Sequence, residues 1–257
     1  MRNTLAIARR ELHSYFASPI AYVLVGLFAL IFGWMFYSFL SFFSEQSLRM
    51  QQFGMQGPQT LNVNEMLIRP LLLQAGIIIL IFIPTLTMRT FAEEKRSGTI
   101  ELLLTSPLTD WEIVLGKFLG AFALYAVMLI LSALNLIWLF AYGDPEVAPI
   151  VTGYLGLLLL GGGFIAIGLF LSNLTRNQIV AGLLTYAVLL MLLLVAWVGE
   201  GAGPVGKAFV SALSVFQHFE DFSKGVIALS HLVYYLSFIT FGLFLTAKSV
   251  DSERWRG

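Results

Sequence analysis

Residues 71–88 read LLLQAGIIILIFIPTLTM, and residues 89–107 continue RTFAEEKRSGTIELLLTSP. The first stretch carries no charge and approaches the ~20 apolar residues that a helix needs to cross a hydrocarbon core of about 30 Å. The second brings Arg89, Glu93, Glu94, Lys95 and Arg96 within eight positions. A helix that turns from unbroken apolarity to dense charge is leaving lipid for water. That boundary sets the fold class as a polytopic helical membrane protein, and the remaining sequence is read outward from it.

Five further runs reach spanning length, so the expected spans are about 20–43, 71–88, 113–141, 150–172, 178–198 and 225–247. The whole chain agrees: of 257 residues 58% are hydrophobic and 12% charged, with a mean hydropathy of +0.84. A soluble domain carries roughly 25% charged residues. The formal net charge is zero, which gives no basic field for nucleic acid. There is no cysteine, which removes disulfides, thiolate metal sites and a thiol nucleophile. The N-terminus lacks the short apolar core and small-residue cleavage site of a signal peptide.

Lysine and arginine give the orientation. Segments 1–19, 89–117, 173–177 and 248–257 hold most of them, whereas the opposite loops hold Arg49, Arg69, Lys207 and Lys224. The positive-inside rule then puts both termini in the cytoplasm, and the membrane is expected to be a bacterial inner membrane. Lys117, in the first turns of the third span, is expected to snorkel to the interface.

Residues 2–17 place Leu5, Ala8, Leu12, Tyr15 and Phe16 at helical spacing. Arg9, Arg10, His13 and Ser14 lie off that stripe, and Ile7 spoils its polar side. This pattern predicts an amphipathic helix in the cytoplasmic interface; the other reading is a plain positive flank. Thr109–Glu112 and Thr175–Gln178 both carry the capping-box pattern where the chain re-enters the membrane, with Leu108/Ile113 and Leu174/Ile179 as hydrophobic staples. Gly116 and Gly120 form a GxxxG, and Gly161, Gly162, Gly163 and Gly168 crowd the fourth span; small residues let helices approach closely in lipid.

In the charged stretch, the second span is expected to continue as a helix through Glu93, Glu94 and Lys95. Ser97-Gly98 reads as a turn, Thr99 as the cap of a second short helix, and Pro107 as its stop. Ile100, Leu102, Leu103 and Leu104 make that helix apolar. It suits either a groove on a soluble partner or the bilayer surface.

Two longer loops, 44–70 and 199–224, lie on the outer side. Phe209, Ala212, Leu213, Phe216 and Phe219 predict an amphipathic or re-entrant segment there. Gly201–Ala208 nearly matches a phosphate-binding loop. Ala208 replaces the magnesium-holding hydroxyl, a membrane helix replaces the strand before it, and charge puts it outside. His218, Glu220, Asp221 and His231 are chemically suited to metal, but their spacing matches no known site, so none is assigned. No catalytic triad is evident, and the chain reads as a non-enzyme. With few ionisable groups in the spans, energy for transport is expected to enter from a separate subunit.

Several stretches together resemble ABC-2-type permeases, in particular the gliding-motility (GldF-like) permeases, with NosY more distant. They are YFASPIAYV at 15–23, MRTFAEEKRSGTIELLL at 88–104, IVLGKF at 113–118, AIG at 166–168, NLTRNQ at 173–178 and HFEDFSKGV at 218–226. The resemblance runs nearly end to end. It implies an all-α ABC-2 (type V exporter-like) permease fold with six transmembrane helices in one domain over 1–257. Residues 2–17 would be its interfacial helix, bearing Arg9, Arg10, Glu11 and Tyr15. Within a coupling region at 89–112, about 99–105 would be the coupling helix. Arg89, Phe91, Glu93, Glu94, Lys95, Arg96, Gly98, Thr99, Glu101 and Leu103 would form the ATPase-coupling site. Residues 204–222 would be outer re-entrant helices, with Phe216, His218, Phe219 and Asp221 in that outer region. The implied partners are a dimer of cytoplasmic ABC ATPases carrying ATP and Mg, a second permease protomer, the bilayer, and a GldG-like auxiliary membrane protein. This chain itself would hold no cofactor. The other functional classes open to the sequence are a force-transmitting anchor without a substrate path, and a lipid-modifying enzyme centred on His218, Glu220 and Asp221.

Overall fold

The computed structural model describes residues 2–53, 62–142, 145–201, 210 and 213–254. Gly201–Ala208, apart from Gly201, lies outside them, as do Phe209, Ala212 and the tip of the first outer loop. The described residues form helices and no strand. In chain order these are α1 (Arg2–Ala17), α2 (Pro19–Phe53), α3 (Arg69–Thr87), α4 (Ala92–Ser97), α5 (Thr99–Leu104), α6 (Asp110–Tyr142), α7 (Val147–Asn173), α8 (Gln178–Gly201), α9 (Val215–Ser223) and α10 (Leu229–Arg254). A π-helical turn, Asn64–Ile68, leads into α3. Among the described residues six helical stretches are long and apolar enough to cross a membrane.

The bundle is built around α7. Two-thirds (67%) of its most apolar window is buried, against 17% for α8, 22% for α10 and 28% for α2. Its glycines account for this enclosure. A methyl at Gly156 would meet Phe222 at 2.7 Å, one at Gly163 would meet Phe238 at 2.5 Å, and ones at Gly161 and Gly168 would collide with Tyr125 and Thr87. In lipid, helix association rests on close van der Waals packing because tails are as apolar as leucine. The glycine-rich face therefore lets α3, α6, α9 and α10 all lie against one helix.

Two local expectations are revised. The second span does not run on through Glu93: α3 stops at Thr87, residues 88–91 turn, and α4 starts afresh at Ala92. Ser172 Oγ receives the Phe91 and Ala92 amides, both at 3.2 Å, and donates to Met88 O. A side chain of α7 thus caps a helix 80 residues away in sequence. At the second re-entry, Asn177 caps α8: its Oδ1 receives the Ile179 amide at 3.0 Å, while Thr175 Oγ1 receives that of Asn177. Asn serves as well as Thr at a cap, so the pattern locates the helix start but misassigns the residue. At the first re-entry the reciprocal box forms, Glu112 N to Thr109 Oγ1 at 3.3 Å and Thr109 N to Glu112 Oε2 at 3.1 Å.

Candidate functional site

The start of α6, α1, α4, α5 and the end of α10 meet at one end of the bundle. The meeting begins with α1 on α6. Cβ atoms placed at Gly116 and Gly120 would lie 2.6 Å from the Cβ atoms of Ile7 and Glu11. The GxxxG is therefore the seat of α1, and Ile7, the residue that broke the sequence stripe, is its anchor. Ile7, Glu11 and Tyr15 recur every four residues on the face that α1 turns inward, whereas Leu5 is exposed.

Seating Glu11 there places its carboxylate on Lys117. Contrary to the expected snorkelling, Lys117 is fully buried (0% exposed). Its Nζ lies 2.8 Å from Glu11 Oε1 and 2.9 Å from Glu94 Oε1, donates to Thr90 O at 2.9 Å, and sits 5.1 Å from the centre of the Phe91 ring. Snorkelling fails because α1 and the 88–91 turn close over the route to the surface. Desolvating an ammonium costs several kcal/mol, which only close counter-charges and full hydrogen bonding offset. Arg10 Nη2 adds a second bridge to Glu94 at 3.0 Å. One lysine thus joins α1, α4 and α6. Tyr15 reinforces the joint, its hydroxyl 3.2 Å from Leu86 O and 3.2 Å from Thr90 Oγ1, and burial pushes its phenol well above the ordinary range.

Beyond the joint, Gly98 takes φ 74°, the left-handed conformation that ends α4 and begins α5. Gly98 is the residue before α5. Thr99 is its first residue and does not cap it; the Thr99 hydroxyl instead contacts Glu94 O and Ser97 Oγ. Of the leucine run, Ile100 and Leu103 pack inward and Leu102 is 73% exposed. Arg96, Thr99 and Glu101 are exposed as well. Phe91 and Leu103 are buried and hold the segment from behind, so they present no surface of their own. Between α1 and α4–α5 lies a groove of about 650 Å³ lined by Arg10, Glu11, Arg89, Glu93, Glu94 and Leu102, among others. Arg89 is paired with Glu93 at 2.8 Å, and Arg9 stands exposed on α1. Glu94 Oε2 is buried with no hydrogen-bond partner.

Glu253 and Arg254, which reach this end from α10, carried no sequence signal. Lys95 pairs with Glu253 and donates to Asn173 O, and Arg254 reaches Asp110 Oδ1 at 3.0 Å and Leu108 O at 3.1 Å. Lys117, read from sequence as an interfacial lysine, did carry a signal, since an ionisable residue in an apolar span is a site candidate by default.

At the opposite end, α9 starts at Ser214, whose Oγ receives the Gln217 amide. Asp221 Oδ2 lies 2.9 Å from His231 Nε2, and Glu220 pairs with Arg69. His218 stacks on Tyr234 with centroids 3.9 Å apart and contacts Ser214 O through Nδ1. Burial lowers the His218 imidazole below its ordinary value. Burial also pulls the Asp221 carboxyl up, but bonds from His231 and Lys224 outweigh it and hold it low. Phe219 is buried and Phe216 half-buried against Phe164. Among the described residues no group of three or more His, Asp or Glu side chains is arranged to hold a metal ion.

A family model described as ABC-2 family transporter protein matches residues 5–247. The chain is similar to the probable multidrug ABC transporter permease YbhR of Escherichia coli (strain K12), 28% identical over 145 residues, which make up 54% of this chain and 38% of that protein. It is also similar to the inner membrane transport permease YhhJ of the same strain, 32% identical over 109 residues, 42% of this chain and 28% of that one. The matched stretches span less than two-fifths of each of these curated relatives.

Proposed function

Since the chain belongs to the ABC-2 family of transporter proteins, we propose that it is a membrane-spanning permease subunit. In this reading a separate cytoplasmic ATPase hydrolyses ATP with Mg, and the permease converts that cycle into movement of a substrate, or of force, across the membrane. The end carrying α1, α4 and α5 faces the cytoplasm with both termini, α1 lies in the membrane interface, and α5 is the coupling helix. The permease acts as a dimer with a second copy of itself. It is of the gliding-motility (GldF-like) type, working beside a GldG-like membrane protein, and its bilayer is the bacterial inner membrane.

One observation carries the reading: the buried Lys117, held by Glu11 and Glu94, which ties the exposed α4–α5 segment and α1 into the third span. A push on α5 is delivered through this joint to α6 as a rigid-body displacement, because drawing a fully buried lysine away from its two carboxylates leaves its charge uncompensated. Leu102, Glu101 and Arg96 offer an apolar centre with a charged rim, the chemistry of docking in a groove. Phe91, Gly98, Thr99 and Leu103 shape and support that surface.

The test is co-purification in mild detergent. The unaltered chain retains a cytoplasmic ATPase, and Glu101→Lys or Leu102→Glu, both at exposed positions, releases it with the permease still folded. If no ATPase is retained even after crosslinking the unaltered chain, the proposal fails.

A further inference from the structure

Among the described residues, four side-chain bonds hold α9 to the bundle and a fifth holds Leu213 just before it, and three of the five come from α10. Tyr235 Oη donates to Val215 O at 2.7 Å, Tyr234 Oη donates to Leu213 O at 2.8 Å, and His231 meets Asp221 at 2.9 Å. The other two are Thr152 on Phe222 O, from α7, and Arg69 on Glu220, from α3. At its other terminus α10 grips the proposed docking segment through Glu253 on Lys95, while Arg254 holds Leu108 O and Asp110 where the chain passes from that segment into α6. His231 and Glu253 are 22 residues apart on one helix, about 33 Å at 1.5 Å per residue.

We infer that α10 is a rigid rod that couples the position of the α4–α5 segment to that of α9 at the far end of the bundle. Three features suit it to this. It contains no proline, so no kink absorbs a displacement, whereas α3 carries Pro84 and then breaks at 88–91. It packs along one face only, with most of its apolar window outside the core. That face meets small residues of α7: Gly242 lies flush on Ala166, and Phe238 and Ile239 lie over Gly163 and Gly162. Such a contact resists separation, while the α7 side of it, glycine and alanine, offers few side chains to obstruct a small slide or tilt of Phe238 and Ile239. α7, the most buried of the six long helices, is the frame against which the rod moves. Glu253 and Arg254 are then positioning residues that act on α9 through the helix they terminate.

Coupling between two sites is reciprocal, which makes the inference testable in the full chain in lipid nanodiscs with no ATPase present. The rod rests on geometry; only the direction in which it is used rests on the docking proposal, so the two fail separately. Backbone amide exchange is followed in α9, in α4–α5 and in the interior of α7. Glu253→Lys is expected to speed exchange across 216–223 by fivefold or more, within the usual range of coupling, with α7 unchanged. Asp221→Asn is expected to speed exchange across 92–104 by a similar factor. Arg10→Ala, which loosens the same end but touches no part of α10, leaves α9 as it was. If Glu253→Lys frees Lys95 and its neighbours yet changes α9 less than twofold, the rod is refuted. Should α7 also loosen, Glu253→Gln, which removes the charge at nearly constant shape, decides between the same two outcomes.

Discussion

Replacing Lys117 by methionine removes the charge at nearly constant length and leaves Glu11 and Glu94, only 12% and 18% exposed, facing each other without their shared cation. Removing one partner of a buried pair costs about 3–5 kcal/mol, because the survivor stays buried and uncompensated. Arg10, 59% exposed and 3.0 Å from Glu94, offsets part of that, which puts the expectation near the lower end, about 3 kcal/mol. A chain of this size shifts its melting temperature by roughly 2–4 °C per kcal/mol, so the midpoint should fall by about 6–12 °C. The assay is thermal unfolding in detergent, followed by size exclusion or intrinsic fluorescence. The control is the triple variant Lys117→Met, Glu11→Gln, Glu94→Gln. With no buried charge left unpaired, and Arg10 free to face water, it should recover most of the lost stability. ATPase release is then read separately: a joint that transmits force remains uncoupled in the triple variant even though it is stable. A Lys117→Met midpoint within about 2 °C of the unaltered chain would refute the claim that this lysine is held as a buried, paired cation.

The other predictions concern the supports of that joint and the far end. Gly116→Val should lift α1 off α6, since even a lone Cβ there lies 2.6 Å from Ile7; faster amide exchange over residues 4–15 with α7 unaffected is the expected signature. Ser172→Ala should cost about 1–2 kcal/mol by orphaning the Phe91 and Ala92 amides, and the loosening should be confined to 88–97. Gly98→Ala should cost about 1 kcal/mol or more, because φ 74° is strained for any residue with a Cβ, and Gly98→Asn should be milder. The His218 imidazole is lowered in the folded state by burial, so the unfolded chain takes up the proton first. The docking of α9 should therefore be fully stable above the ordinary histidine value of about 6.5 and weaken as pH falls through the lower folded value. His218→Phe, which keeps the stack on Tyr234, should flatten that profile, and an unchanged profile would assign it to another group.

Composition and the length of the apolar runs by themselves determined the solvent, the helical class and six spanning segments, because a backbone in lipid has no other way to satisfy its polar groups. Local patterns likewise located helix starts, since a cap is completed within a few residues: Thr109 and Glu112 bond each other as read, and at the second start the work is done by Asn177, two residues on from the Thr175 of the reading. The tertiary structure alone decided which polar residues serve as a joint. Lys117 next to two glycines reads as an interfacial lysine until α1 is seated on those glycines and brings Glu11 over it. The same holds for Ile7, a flaw in a stripe by sequence and an anchor in the fold, and for Leu103, which the apolar run groups with Leu102 although the helix turns one inward and the other out. Ser172 and Glu253 lie roughly 80 and 158 positions from the residues they bind, and no periodicity reaches that far. Periodicity reports the face of one helix toward a generic inside. Which helix covers that face, and whether a charge there finds its partner, is set by packing between segments distant in the chain.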